Sequence, residues 1–100
     1  MAKSKEKIKV ARRNPEQMTE ALVEICDKFF KKGRCKIDTD NFLFLSGYKR
    51  LPADYLDDVY ALLIDEDIVL CDLEDYILFI KRVACDSAFE LTKARLKKVV

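Results

Sequence analysis

The side chains in this chain that could do chemistry are carboxylates, amines, guanidiniums, hydroxyls and four thiols, because it contains no histidine. The densest carboxylates are Asp54, Asp57, Asp58, Asp65, Glu66 and Asp67. Paired carboxylates do general acid–base work only where burial or a partner moves one pKa away from the other. At helix-surface spacing, as here, they form a solvated charged face. The only glycines are Gly33 and Gly47, which rules out a glycine-rich phosphate loop. Ser46-Gly47 lacks the context of a nucleophile elbow. No catalytic residue is assigned, and the expected protein is not an enzyme.

Metal chemistry is equally poorly served. Asp65-Glu66-Asp67 lacks the alternating spacing and central glycine of a calcium loop. Cys26, Cys35, Cys71 and Cys85 form no C-x-x-C pair. A zinc site would need four isolated cysteines to converge from distant elements. Cys26 and Cys71 sit in apolar stretches, where a free thiol packs as a small hydrophobe. No metal and no cofactor is expected. No export signal and no apolar run near the roughly 18 residues of a membrane span is present, so the expectation is reduced thiols and a cytoplasmic setting.

Binding is the remaining class, and charge layout defines it. The net charge is only +1, yet the charges are segregated. Residues 1–13 carry six positive charges and one negative. Residues 53–80 contain nine acids (those named above with Asp72, Glu74 and Asp75) and no Lys or Arg. Residues 81–100 carry six positive charges and two negative. Such separation suits steering toward a charged partner or head-to-tail association. Tyr48, in Ser46-Gly47-Tyr48-Lys49-Arg50, reads as an exposed aromatic beside two cations, or as a plain surface turn. Phe29, Phe30, Phe42, Phe44, Tyr55, Tyr60, Tyr76 and Phe79 read mostly as core, since they lie in apolar runs or beside acids rather than among cations.

The elements that must position these groups follow from caps and periods. One hundred residues make one domain, expected over 14–100 behind a flexible basic arm, 1–13. Asn14, Pro15 and Gln17 start a helix over 15–32, which Gly33 ends. Arg34 to Ile37 is a brief strand. Asp38 or Thr39 caps a short helix that Gly47 closes. Pro52 opens a third helix with the apolar stripe Tyr55, Leu56, Val59, Tyr60, Leu62 and Leu63. Residues 67–82 read as a β-hairpin turning at Asp72-Leu73-Glu74-Asp75, or as one more buried helix. Ser87 and Glu90 make a capping box for a last helix near 86–98, lined by Cys85, Phe89, Thr92, Leu96 and Val99.

This order, with Leu62-Leu63-Ile64-Asp65-Glu66-Asp67-Ile68-Val69 followed by Tyr76-Ile77-Leu78-Phe79, resembles a winged-helix domain over roughly residues 15–82. Asp67 stands where that family often has glycine. The resemblance implies a mainly helical α+β fold: a three-helix core, a small β-hairpin wing and a C-terminal helix. The alternative is an all-α five-helix domain. It also implies DNA binding and transcription regulation, with the third helix in the major groove and the wing on the backbone. The acids of 53–80 depart from that pattern, because phosphate contacts need cations.

Two functions are therefore expected. One is a non-catalytic regulator associated with nucleic acid through Lys3, Lys5, Lys7, Lys9, Arg12, Arg13, Tyr48, Lys49, Arg50, Lys81 and Arg82. The other is a protein-interaction adaptor, or nucleic-acid mimic, gripping a basic protein with Asp54, Asp57, Asp58 and Asp65. A homodimer through the C-terminal helix is compatible with either.

Overall fold

The computed structural model describes residues 10–29 and 33–100. Helix α1 (Pro15–Phe29) begins with a reciprocal capping box. The Gln17 N–H donates to Asn14 Oδ1 at 2.8 Å, and the Asn14 N–H donates to Gln17 Oε1 at 2.9 Å. Each bond satisfies a donor that the helix start would otherwise leave open. Residues 30–32, expected as the last turn, lie outside the described residues.

Strand β1 (Arg34–Asp38) leads directly into α2 (Thr39–Ser46). Asp38 caps α2 by accepting the Asn41 N–H at 2.7 Å. Gly47 ends it in the left-handed region, φ 80°, donating to Leu43 O and Phe44 O. A Cβ on Gly47 would lie 2.6 Å from Ala11 O, so glycine is required twice over, for backbone angle and for space.

Helix α3 (Tyr55–Asp65) starts three residues later than Pro52 suggests. Pro52 instead makes a turn, its carbonyl accepting the Tyr55 N–H, while Asp54 takes a left-handed conformation (φ 64°) and caps nothing with its side chain. Strands β2 (Ile68–Asp72) and β3 (Tyr76–Lys81) form the antiparallel hairpin, and β1 pairs antiparallel with the other edge of β3. The sheet order is β1-β3-β2. The chain is thus a mainly helical α+β fold, and the all-α alternative is excluded.

No glycine marks either hairpin junction. Asp67 (φ 61°) and Glu74 (φ 71°) adopt the left-handed conformation instead. Asp tolerates that region because its short polar side chain bonds locally. At the hairpin turn, Asp72 Oδ1 accepts the Glu74 N–H at 3.0 Å, an Asx turn that stabilises the bend.

The core lies between α1, α3 and the inner face of the sheet. Met18, Leu22 and Cys26 on α1 meet Tyr55, Val59 and Leu63 on α3, each set spaced four residues apart. Phe42, Ile68, Leu70, Ile77 and Phe79 complete it. Burying each Leu, Ile, Val, Phe or Met contributes roughly 1.5–3 kcal/mol. Tyr60, expected in the buried stripe, is 43 % exposed, as are Phe29 and Phe44 to a greater degree. In α3 the stripe Tyr55-Val59-Leu63 faces α1 and β2, which leaves Tyr60 on the outer side.

The expected helix over 86–98 does not form as one element. Helix α4 (Arg82–Asp86) ends at Ser87, and α5 (Lys93–Leu96) is a single turn capped by Thr92, whose Oγ1 accepts the Arg95 N–H. Ser87 Oγ donates back to Ala84 O. Phe89, Leu91, Leu96 and Val99 all remain exposed, so no buried stripe drives a longer helix.

Candidate functional site

Among the described residues, those expected to meet nucleic acid fall in two places. Lys3, Lys5, Lys7 and Lys9 lie outside the described residues. Arg13 is a structural link. Its N–H donates to Ser46 O at 2.9 Å, its guanidinium donates to Leu45 O, and its own carbonyl accepts the buried Tyr55 hydroxyl at 2.7 Å. The last carbonyls of a helix lack internal partners, and a cation there also meets the negative end of the helix dipole. Arg13 therefore closes α2 and ties it to α3.

Tyr48 is half-buried rather than freely exposed. Its ring meets Tyr55 edge-on at 5.5 Å, and the Arg12 guanidinium stands 5.1 Å from its centroid. That stacking holds Arg12 beside the exposed Lys49 and Arg50 at the α2–α3 turn. Lys81 and Arg82 lie elsewhere, at the β3–α4 junction, where their backbone N–H groups donate to Gly33 O and Asp67 O. Arg82 also pairs at 3.9 Å with Asp86 in an exposed contact, which is weak in water.

The acidic residues make a more continuous surface. Asp54, Asp57, Asp58 and Asp65 are all exposed along α3 and its entry. Tyr60, Ala61 and Ile64 are exposed among them. The result is an apolar strip edged by carboxylates. The hairpin turn carries three further acids, Asp72, Glu74 and Asp75, all exposed, beside the start of α2. That turn does not project freely: Thr39 donates its N–H to Asp75 O and its hydroxyl to Glu74 O, which fastens the turn to the start of α2.

The perturbed titratable groups are structural. Burial, with the neighbouring Tyr48, pushes the Tyr55 phenol up to about 12 against the opposing pull of Arg13. Burial and then Cys35 push the Cys26 thiol up to about 12. Burial also raises Cys35, the neighbour of Cys26. All four cysteines are free. A thiol whose pKa is raised is a poor nucleophile. Among the described residues, no three His, Cys, Asp or Glu side chains group so as to hold a metal ion. No described helix is long and apolar enough to cross a membrane.

Comparison with protein-family models, curated proteins and solved structures returns no match. The site must be read from geometry alone. Sequence reasoning missed Tyr60 and Ile64 as the exposed centre of the acidic face. Their four-residue spacing, offset from Tyr55-Val59-Leu63, was the available signal. It also missed Arg13 as a link, because that role depends on contacts more than thirty residues apart.

Proposed function

We propose that this chain is a small non-catalytic binding module of winged-helix type that grips a basic segment of a partner protein through the outer face of α3. The order helix–strand–helix–helix–hairpin and the sheet order β1-β3-β2 support that architecture. The observation that carries the function is the α3 face itself: Asp57, Asp58 and Asp65 bordering Tyr60 and Ile64, with no cation anywhere in residues 53–80. A major-groove helix needs attraction to phosphate, and this one would be repelled. A Lys- or Arg-rich segment finds both charge complementarity and apolar contact there. The same surface suits a nucleic-acid mimic. Four free thiols fit a reducing, cytoplasmic setting.

A second reading rests on Arg12 stacked over Tyr48 beside Lys49 and Arg50. That group could touch phosphate and give the regulatory, DNA-associated role. One experiment separates the two. The full chain and a D57K/D58K variant are used to capture partners from cell extract, with and without nuclease, at low and high salt. The expected result is a protein partner that survives nuclease and is lost with the charge reversal. Capture of nuclease-sensitive nucleic acid, unchanged by D57K/D58K and weakened by R12E/R50E, overturns the α3 reading in favour of the second.

A further inference from the structure

A groove runs beside α1 and adjoins, through a small hollow lined by Ile64, Asp67 and Asp86, the C-terminal end of the α3 face, away from Asp57 and Asp58. It consists of two adjoining hollows of about 630 and 340 Å³ that share Val23, Asp27 and Glu66. Its apolar contribution comes from Val23, Ile68 and Val83. Its acids are Glu20, Glu24, Asp27, Glu66, Asp67 and Asp86, set against the cations Lys81 and Arg82. Among the described residues nothing fills it.

The C-terminal stretch has the opposite character. After Asp86 it carries Lys93, Arg95, Lys97 and Lys98 against the single acid Glu90. Its apolar side chains stand largely in water: Phe89 is 73 % exposed, Leu91 66 % and Val99 84 %. It is nonetheless locally ordered. Arg95 lies 4.4 Å from the Phe89 ring centroid and donates to Glu90 O, and Thr92 caps the α5 turn. Apolar side chains held out in water by an ordered segment mark a surface built for contact.

We propose that residues 87–100 of one copy of this chain seat in the α1 groove of a second copy. Continuity with the segment selects the groove over the α3 face, and charge selects it over the sheet. The outer face of the sheet also offers apolar side chains, in the rows Ile80-Val69 and Leu78-Cys71. Those rows continue on β1 into the exposed Arg34 and Lys36, which repel a basic segment. The groove is acidic, concave and continuous with the origin of the segment, since Asp86 lines it and Ser87 begins the tail. Because each copy owns both halves, reciprocal seating closes a two-fold dimer and doubles the buried area. Leu96, Val99 and Phe89 supply the apolar contact, and Lys93, Lys97 and Lys98 face the carboxylates.

The test is the mass of the full chain in solution, by sedimentation or by light scattering after gel filtration, at low salt and at about 1 M salt, where charges are screened within a few ångströms. A concentration-dependent dimer that weakens with salt is expected. K97E/K98E and, separately, D27K/E66K should each weaken it at least about tenfold, and combining them should restore it. D57K/D58K should leave it intact, which keeps this test independent of the α3 reading. A wild-type monomer at every concentration would overturn the proposal. So would a dimer untouched by either reversal, a combined variant that stays monomeric, or a dimer lost with D57K/D58K.

Discussion

Asn14 and Ser87 each stand three residues before a side chain able to return the cap, Gln17 and Glu90. At Asn14 both hydrogen bonds form, and fifteen helical residues follow. At Ser87 the hydroxyl turns back to Ala84 O, and residues 87–92 are not helical. The local chemistry of the two starts is nearly the same. What differs is the stripe behind them. Met18, Leu22 and Cys26 bury fully against α3, whereas Leu91, Leu96 and Val99 stay exposed. A cap contributes about 1 kcal/mol, less than nucleating a helix costs, so packing must supply the rest.

The largest test of this contrast is truncation on each side of it. Leu63→Ala should destabilise the domain by about 2–5 kcal/mol in denaturant unfolding, while Phe89→Ala in the monomer should stay within about 0.5 kcal/mol. A comparable loss at Phe89 would show that the tail packs within its own chain.

Next comes the junction where Ala11, Arg12 and Arg13 meet the end of α2. Gly47→Ala forces a side chain into a left-handed backbone and against Ala11 O at 2.6 Å. It should cost about 1–3 kcal/mol, the scale of backbone strain. Gly33→Ala shares the positive φ of 80° but meets only the Ala84 Cβ at 3.2 Å. It should cost less, about 1 kcal/mol. Equal losses in thermal unfolding would remove any special role for the contact with residues 11 and 12.

Alkaline pH probes the same packed region. Cys26 moves from 9.0, and Tyr55 from 10.0, each up to about 12 in the folded state. Folding raises both values, so the folded state holds protons that the unfolded state releases first. Stability from these groups is complete below about pH 9 and is lost as pH rises toward 12. Urea midpoints measured from pH 8 upward should fall through that window. Tyr55→Phe, which also removes the bond to Arg13 O, should flatten the upper part of the fall. A midpoint independent of pH would contradict the burial of both groups.

The smallest effects return to the caps. Asn14→Ala should cost about 1 kcal/mol, and Ser87→Ala close to nothing. Helix content by circular dichroism should follow the same order.

Much of the scaffold was legible because its signals are short-range. Asn14 with Gln17, Asp38 with Asn41, and the Gly47 stop each involve residues three or four apart. The hairpin was legible from its two apolar runs, although no glycine marks its junctions and Asp67 and Glu74 take the left-handed conformation there. The acidic character of α3 was legible from composition. The apolar centre of that face was not, because Tyr55 and Tyr60 are equally apolar until a neighbour chooses between them.

The sequence by itself determined the helix starts at Asn14 and Asp38, the stop at Gly47, the alternation in β2 and β3, and the absence of any cation from residues 53–80. These depend on backbone geometry over a few residues, or on composition alone. Only the tertiary structure decided that Arg13 closes α2, that Tyr48 is a half-buried ring under Arg12, and that Tyr60 and Ile64 face water. It also left the tail with a single helical turn, Lys93–Leu96, in place of a long helix. Arg13 reaches Leu45 and Tyr55 across 32 and 42 residues of sequence, and such contacts exist only once α1 and α3 have packed. Burial belongs to that packing rather than to any residue, which is why similar apolar spacings became a core in one part of this chain and an exposed surface in another.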